Sequence, residues 1–374
     1  MKEQWRLLEL GGIDPLETQM VYEAVAIARA KGLVLDTIIF CWPKEPLVCI
    51  GFHQEVEKEI DFEYCKKTNI PIVRRILGGG AVYLDAGQLF YQIIASEDNP
   101  KVPKTIDKLF EKMLEAPIQT YREIGIPVKY KPINDIEVNG KKISGNGAGK
   151  VEKINILTGN LIIDFNFDEM VKILRVPSEK FRDKLASTLK ERLTTITYQL
   201  GTVPAKDHLI SLLKKSFENV LEIKLQEEQL SHEEESILKE LRIKYLSEDW
   251  IFQTSLRHPE LLVKLQRASE PERVVKIAGG IYVCESIFKS EGGLIRVTME
   301  VENKKIKDIL ISGDFEFIPK EKLAELEKDL LGLEIDETQI NNAIVDFYKI
   351  NEIQAPGTLP QDFTKSILLA IQNL

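Results

Sequence analysis

The sequence has little of what a metal site, a disulfide framework or a membrane span would require. Its 374 residues include only four cysteines and four histidines. Cys41, Cys49, Cys65 and Cys284 form no C-x-x-C pair, and the histidines are too scattered to give zinc-ligand spacing. No apolar run approaches the roughly 18–20 residues that a transmembrane helix needs. We therefore expect no zinc site and no membrane partner, and Cys41 and Cys49, which lie in strand-like apolar runs, should be core residues.

An excess of positive charge is also absent. The net charge is −9, which argues against a general nucleic-acid binder because phosphate contacts need a surplus of Lys and Arg. Residues 1–6 contain no apolar segment followed by a cleavage site, so we predict a cytoplasmic protein. One local basic patch exists nonetheless, formed by Lys129, Lys131, Lys141, Lys142, Lys150 and Lys153.

The hydrophobic pattern predicts an α+β fold in which strand pairs meet at glycine corners, without a regular β-α-β repeat. Predicted strands include residues 37–42, 47–51, 70–76, 81–84, 88–94 and 154–165, and predicted helices include residues 16–31, 56–68, 106–124, 167–173, 179–190, 207–219 and 232–245. Pro117 should kink or divide the helix at 106–124. The length suits two domains, which we place at 1–250 and 251–374 with a boundary between Trp250 and Lys276. The second domain should be a small antiparallel sheet (277–288, 293–302, 305–311) covered by helices at 320–331 and 336–349.

The first segment that can carry chemistry contains a glycine triplet, which follows a predicted strand. Residues 74–85 are R-R-I-L-G-G-G-A-V-Y-L-D. Consecutive glycines let the backbone approach a ligand and expose N–H groups to anionic oxygens. Arg74 and Arg75 can hold a carboxylate or phosphate through charge-assisted hydrogen bonds. The alternative is a glycine-rich turn with solvated arginines.

A lysine hairpin is the second such segment. Residues 133–138 and 142–144 should pair across Asn139-Gly140, a strong hairpin signal. Alternation would put Lys142 and Ser144 on one face, opposite Ile143. A lysine held near glycines is suited to neutralise charge that develops on a phosphate or acyl oxygen. The alternative is a surface hairpin with ordinary lysines.

Two nucleotide-binding motifs can be rejected for residues 145–150, G-N-G-A-G-K. Ser144 stands where a phosphate loop has its first glycine, and Val151 replaces the required Ser or Thr. Lys150 occupies the last glycine position of G-x-G-x-x-G, so a dinucleotide site is not supported either.

Together these segments resemble the lipoate–protein ligase family, in the larger group that includes biotin ligases and octanoyltransferases. Residues 74–85 are similar to the family's R-R-x-S/T-G-G-G-A-V-Y/F-H-D, and residues 134–145 to its N-D-I…K-K/V-I/V-S-G. Further similarities lie at 159–163, at Lys184, at 192–196 and, in the accessory domain, at 305–306, 311–315 and 326–332. The arginine-rich loop of biotin ligases is absent, which favours lipoate over biotin.

The resemblance implies the fold, the reaction and the site. The fold would be an α+β catalytic domain shared with biotin ligases and class II synthetases, with a mixed or antiparallel sheet and flanking helices, plus a small α/β C-terminal domain. The enzyme would form lipoyl-AMP from lipoate and ATP with Mg2+, then lipoylate a lysine of a lipoyl-domain protein. Candidate acceptors are acyltransferase subunits of 2-oxoacid dehydrogenases and the glycine cleavage H protein, and the basic patch would suit acidic lipoyl domains.

The resemblance also assigns residues. Lys142 would be catalytic, contacting the lipoate carboxylate and the α-phosphate, and Asp135 would position Lys142 or bind magnesium. Lipoate and ATP would be bound by Arg74, Arg75, Gly78, Gly79, Gly80, Ala81, Val82, Tyr83, Asp85, Asn134, Asp135, Ser144 and Gly145.

The chain departs from the family pattern at three positions. Leu77 replaces Ser or Thr, Leu84 replaces His, and Gln88 replaces a frequent Asn. Octanoyltransferases that depend on cysteine use a nucleophile downstream of the lysine, but no cysteine lies between Cys65 and Cys284. Two alternatives to a ligase remain: an octanoyl or lipoyl transferase that needs no ATP, and a non-catalytic lipoate-binding protein of the same fold.

Overall fold

The computed structural model describes residues 2–176, 179–266, 274–278 and 281–372. Its strands are, in chain order, β1 Glu3–Ile13, β2 Thr37–Pro43, β3 Leu47–Ile50, β4 Ile72–Arg74, β5 Val82–Leu84, β6 Gln88–Ser96, β7 Lys129–Lys131, β8 Asp135–Val138, β9 Lys141–Ser144, β10 Asn146–Val151, β11 Ile154–Ile162, β12 Ile223–Glu228, β13 Val274–Ala278, β14 Ile281–Lys289, β15 Leu294–Glu302 and β16 Lys305–Gly313.

The helices alternate with these strands in the first half of the chain and dominate near its end. They are α1 Glu17–Ala30, α2 Val56–Glu59, α3 Phe62–Lys67, α4 Ile106–Met113, α5 Glu115–Glu123, α6 Phe167–Ile173, α7 Glu179–Arg192, α8 Ile196–Leu200, α9 Lys206–Val220, α10 His232–Leu246, α11 Glu248–Ile251, α12 Gln253–Leu256, α13 Pro259–Gln266, α14 Lys322–Asp329, α15 Glu337–Ile350 and α16 Pro360–Ala370. Within the described residues, none of these helices combines the length and apolar character needed to cross a bilayer.

The chain divides into two compact units, and the first comprises Met1–Ile50, Glu59–Arg75 and Ala81–Ser247. Its main sheet has six strands in the order β10-β11-β6-β2-β1-β12. The pairs β2–β1 and β1–β12 are parallel and the others are antiparallel, so the predicted mixed sheet is confirmed. Every residue of β6 is buried, and α1 packs against this strand. Two smaller sheets, β4-β3-β5 and β7-β8-β9, complete the unit.

A buried ion pair ties β1 to α10 in this unit. The Arg6 guanidinium donates to both carboxylate oxygens of Glu234, and both side chains are almost wholly buried. Glu234 also accepts from the backbone N–H of Ser231 and completes a capping box at the start of α10. A paired charge is the form in which a protein interior tolerates an arginine.

The second unit comprises Gly51–Lys58, Ile76–Gly80 and Glu248–Leu374. Strands β13, β14, β15 and β16 form an antiparallel sheet in that order. Helix α16 packs on β14 and β15, and three rings that meet edge to face fill the core: Phe315, Phe317 and Phe363.

One histidine of the second unit is held between two carboxylates. His258 Nδ1 lies 2.7 Å from Asp308 Oδ1, and its Nε2 lies 3.4 Å from Glu327 Oε2. Burial lowers the pKa of His258, but the two carboxylates outweigh it and raise the pKa to about 9. The histidine is therefore charged at neutral pH.

The predicted helices and strands are largely confirmed, with three informative differences. The helix expected at 56–68 is interrupted at Ile60, which bridges Leu174, and restarts with Asp61 as the N-cap of α3. The helix expected at 106–124 is divided at Leu114 and not at Pro117, which sits in the first turn of α5, where its missing N–H is not needed.

The third difference concerns segments without a predicted element. The elements that were not predicted are β1, β7, β10, β12, α8, α11, α12, α13 and α16, of which β10 lies in the glycine-rich stretch at 145–150. Part of the predicted domain boundary, residues 267–273, lies outside the described residues, as do residues 279 and 280 of a predicted strand.

Candidate active site

The lysine hairpin forms as predicted. Strands β8 and β9 pair antiparallel across Asn139 and Gly140, whose φ angles of 52° and 75° give a tight turn with left-handed backbone at both positions. Lys142 Nζ lies 2.6 Å from Asp135 Oδ1, and the two side chains are 35% and 27% exposed. The hairpin thus presents a partly accessible ammonium group whose direction is set by a carboxylate. The pairing of β8 with β9 shifts register between Ile136 and Glu137, which face Ser144 and Lys142. The expected alternation of Lys142, Ile143 and Ser144 between the two faces of the hairpin is therefore broken at Ile143.

The backbone of Lys142 is fixed from the side by the segment after α7. The Thr194 N–H donates to Lys142 O over 2.9 Å, and Lys142 forms a parallel bridge with Leu193. The adjacent Lys141 Nζ donates to Lys190 O over 2.9 Å. Residues 190–194, about fifty positions further along the chain, therefore hold the lysine strand in one position.

A buried tyrosine connects the two predicted polar residues of the hairpin, Asn134 and Ser144. The Tyr91 hydroxyl donates to Asn146 Oδ1 at 2.6 Å and lies 3.1 Å from Ser144 Oγ. Asn146 Nδ2 donates to Asn134 O at 2.8 Å, and Asn134 Nδ2 donates back to Asn146 O at 2.7 Å. Gly159 faces this cluster, where an added Cβ would lie 2.1 Å from Asn146 Oδ1. Sequence reasoning assigned no role to Tyr91 or Asn146, because Tyr91 stands in no recognisable motif and the stretch 145–150 that contains Asn146 fits neither nucleotide-binding motif.

A second chain of hydrogen bonds joins Gly145 to Tyr83. The Gly145 N–H donates to Asn160 Oδ1 at 2.8 Å, Asn160 Nδ2 donates to Gln88 Oε1 at 2.7 Å, and Gln88 Nε2 donates to Tyr83 O at 3.1 Å. The structure therefore links residues of both predicted segments through two side-chain amides.

The two predicted arginines are buried at the end of β4. Arg74 is wholly buried and Arg75 is 9% exposed. Arg75 Nη1 lies 3.4 Å from the Cys49 carbonyl oxygen and 3.5 Å from its sulfur. A buried guanidinium keeps its charge and a strong demand for oxygen partners.

The glycine triplet belongs to the second unit. The Gly78 N–H donates to Glu316 Oε2 at 2.9 Å, and a Cβ on Gly78 would approach that oxygen and the Phe315 carbonyl to 2.5 Å. A Cβ on Gly51 would meet Gly79 O at 1.9 Å. The glycines are thus required by close backbone approach, and one of their N–H groups already binds a carboxylate oxygen.

Tyr83 and Asp85 line an open cleft of about 610 Å3 in the first unit. Its other walls include Lys44, Phe165 and Lys190. Burial raises the pKa of Asp85, although the Gly87 N–H, which donates to its carboxylate over 2.8 Å, opposes this shift. The neighbouring β5 residue Val82 is 36% exposed. Ala81 is half-buried.

None of the four cysteines has the setting of a nucleophile. All are free and buried. Burial raises the pKa of Cys65 to about 11 and that of Cys284 to about 12, and it also raises the pKa of Cys41 and Cys49. A thiol that reacts at neutral pH needs a lowered pKa and access to its substrate.

Models of known protein families match both parts of the chain. The model of the lipoyl protein ligase A/B catalytic domain matches residues 15–218, and that of the bacterial lipoate protein ligase C-terminus matches residues 285–367. The chain is similar to an octanoyltransferase, LipM, of Moorella thermoacetica, at 26% identity over 67% of this chain and 98% of that protein.

Two solved structures share the fold at moderate identity. One is a bi-partite lipoate protein ligase of Thermoplasma acidophilum, studied with its E2 lipoyl domain, at 30% identity and a TM-score of 0.59 over 67% of this chain and 96% of that one. The other is lipoate-protein ligase A bound with ATP, at 27% identity and a TM-score of 0.55 over 67% of this chain and 99% of that one. The predicted family and fold class are confirmed.

Proposed function

Because the chain belongs to the lipoyl protein ligase A/B family, we propose that it activates lipoate with ATP and transfers the lipoyl group to a lysine of a lipoyl domain. The observation that carries this choice within the family is the contrast between Lys142 and the cysteines. Lys142 is partly exposed and directed by Asp135, whereas every thiol is buried with a raised pKa.

In the first step a lipoate carboxylate oxygen attacks the α-phosphorus of ATP, and the bond to pyrophosphate breaks. Lys142 neutralises the charge on the attacking carboxylate and on the α-phosphate, which stabilises the transition state. Asp135 holds the ammonium by its 2.6 Å contact, and we assign it this positioning role. Mg2+ enters with ATP as part of the substrate and is bound mainly by its phosphates.

In the second step the neutral amine of the acceptor lysine attacks the carbonyl carbon of lipoyl-AMP. The carbon–oxygen bond to AMP breaks, AMP leaves with its electron pair, and the amine loses a proton to solvent. Lys142 now stabilises the leaving phosphate. The two buried arginines, the glycine triplet, residues 81–85 and the polar residues of the hairpin are our proposed lipoate and ATP ligands. We assign the catalytic part to residues 1–250 and an accessory part to 251–374.

The acceptor in this proposal is an acidic lipoyl domain. Three lysines of the basic patch form ion pairs within the chain: Lys131 with Glu137, Lys142 with Asp135, and Lys150 with Glu97. Lys129 and Lys153 are exposed and lie outside those pairs, so they are the groups we expect to attract an acidic partner. The T. acidophilum ligase, with its E2 lipoyl domain, supports a partner of this kind.

The enzymatic alternative is an octanoyl or lipoyl transferase, which the similarity to LipM favours. Such an enzyme moves an acyl group that is already activated and needs no ATP. If its acyl group passed through a cysteine thioester, one of the buried thiols would have to become accessible and ionised. The described structure offers no thiol in that state, which is why we prefer the ligase.

Lipoate-dependent exchange of labelled pyrophosphate into ATP tests the proposal. The wild type should catalyse exchange, and Lys142→Ala should lose it by at least about 100-fold, the scale of one lost electrostatic stabiliser. Lys108→Ala, on the exposed face of α4, is the control for removing a lysine. Single Cys→Ala variants should keep lipoyl transfer to a lipoyl domain. Octanoyl transfer without ATP, lost in one Cys→Ala variant, would instead establish the transferase.

A further inference from the structure

The two amide side chains between Tyr83 and Gly145 form a relay with only one possible direction. At one end the Gly145 N–H can only donate, and at the other the Tyr83 carbonyl can only accept. Asn160 must therefore present its oxygen to Gly145 and its NH2 group to Gln88, and Gln88 must present its NH2 group to Tyr83. Two neutral amides meet this requirement, whereas a carboxylate in either place would lack the donor.

Both amides are shielded from water. Gln88 is 1% exposed and Asn160 is 8% exposed. Water therefore cannot readily replace a missing link, and a lost bond leaves a buried polar atom unsatisfied. The relay is consequently a stiff connection between the start of β6, β11 and the corner between β9 and β10.

Asn160 holds Gly145 through two hydrogen bonds, and Gly145 lies close to Lys142. The Asn160 backbone N–H donates to Gly145 O over 3.2 Å, in addition to the bond from the Gly145 N–H to the Asn160 side chain. The position of a Cβ on Gly145 would be 4.0 Å from Lys142 Cε. The orientation of the Gly145 peptide thus limits where the ammonium end of Lys142 can go.

We propose that Gln88 and Asn160 are positioning residues for the acyl transfer, which fix the Gly145 backbone and, through it, the ammonium of Lys142. The inference rests on the proposed function because Lys142 is the group that is positioned. At position 88 the family often has Asn. The longer side chain of Gln88 spans the distance from Asn160 to the Tyr83 carbonyl in this chain.

The test uses Asn160→Asp and Gln88→Glu, which keep the side-chain shape and remove one donor. At pH 8 each variant should lower kcat for lipoate-dependent pyrophosphate exchange by about 10- to 100-fold, the loss expected when a catalytic group is misplaced. The KM for ATP should change less than kcat, because the relay acts mainly on the placement of Lys142 in the transition state.

Acidification should rescue both variants. A protonated carboxyl supplies the missing O–H donor, and burial raises the pKa at which it protonates. The ratio of variant to wild-type kcat should therefore rise by at least about fivefold between about pH 8 and about pH 6. A flat ratio across this range would overturn the proposal.

Two buried residues on the same strands provide matched controls. Asn155 lies on β11 and is 2% exposed, and its side-chain amide has no hydrogen-bond partner among the described residues. Gln92 lies on β6, is wholly buried, and donates to Thr18 O at 2.8 Å. Asn155→Asp and Gln92→Glu should lose stability but keep kcat per folded molecule within about threefold of wild type, because neither site contacts the relay.

Lys142→Ala, measured in the same series, distinguishes a failure of the relay from a failure of the proposed function. If Lys142→Ala abolishes exchange while Asn160→Asp and Gln88→Glu match their controls, the relay is refuted and the ligase stands. If Lys142→Ala retains exchange, the role of Lys142 and with it the relay are overturned, while the exchange itself still shows adenylate formation. Lipoyl and octanoyl transfer to a lipoyl domain is assayed on the same variants. If the wild type shows no ATP-dependent exchange, the rate of Lys142-dependent acyl transfer in the variants tests the relay instead.

Discussion

Replacing Gly159 by alanine should destabilise the first unit even though alanine usually suits a strand better than glycine. An added Cβ would lie 2.1 Å from Asn146 Oδ1 and 2.5 Å from both the Cζ and the hydroxyl oxygen of Tyr91. Real Cβ contacts are never this short, so Tyr91 and Asn146 must move. Their movement breaks the 2.6 Å hydrogen bond that joins Tyr91 of β6 to Asn146 of β10.

The expected magnitude combines three effects. Removing a glycine from a strand gains about 0.5–1 kcal/mol. Overpacking a buried site costs about 1–3 kcal/mol, and leaving a buried acceptor without its donor costs about 1–3 kcal/mol. The net loss for Gly159→Ala is therefore about 1–5.5 kcal/mol.

Urea unfolding, monitored by circular dichroism, measures this loss of stability in the transition in which the first unit unfolds. With a slope of about 1–3 kcal/mol/M, the midpoint should fall by at least about 0.3 M, and by more than 1 M over most of this range. Gly145→Ala is the steric control, because its Cβ would lie 3.7 Å from Asn160 Oδ1, an ordinary contact. Its midpoint should remain close to that of the wild type. A Gly159→Ala protein as stable as Gly145→Ala would refute the packing argument.

Two further predictions concern the charged groups buried in each unit. The pKa of His258 is about 9 in the folded protein, above its ordinary value of 6.5, so its contribution to stability is complete below about pH 6.5 and is lost as the pH rises through 9. The difference in Tm between wild type and His258→Gln should therefore shrink from pH 6.5 to pH 9.5, and a constant difference would contradict the ion pairs. Glu234→Gln should cost about 3–5 kcal/mol in urea unfolding because it leaves Arg6 buried without its counter-charge. The same change at exposed Glu235 on the same helix should cost less than about 0.5 kcal/mol, and equal costs would show that the buried pair adds nothing.

Local signals were sufficient for most of the fold. Helix α6 begins and ends where periodicity and charge place it, and the Asn139-Gly140 turn sets the β8–β9 hairpin. Strand β1 could not be predicted in this way, because Arg6 interrupts its apolar run. The residue that makes this arginine tolerable, Glu234, lies 228 positions away. Long-range charge compensation leaves no trace in a local window.

The same limit applies to the candidate site. The motifs indicated Lys142 and Asp135, which the fold brings to 2.6 Å. They gave no role to Tyr91, Asn146 or Asn160, although Asn146 and Asn160 lie in the stretches 145–150 and 159–163, because a single Tyr or Asn in a strand carries no chemical signature until its hydrogen-bond partners are known. These residues act on the backbone of the hairpin, and backbone partners are invisible in the sequence.

The contact between Lys142 and Asp135 also bears on how one lysine could serve both steps of the proposed reaction. A lysine ammonium has three N–H donors and no acceptor. Asp135 Oδ1 lies 2.6 Å from Nζ as an ion-pair partner but forms no hydrogen bond with it, so the N–H donors remain available to oxygens of substrate. The two oxygens that need neutralising in adenylate formation are one from the lipoate carboxylate and one from the α-phosphate, and in aminolysis they are the acyl oxygen and the leaving phosphate. Asp135 therefore does not compete with the substrates for these donors: it holds the ammonium in place by charge attraction, so the same geometry serves both half-reactions.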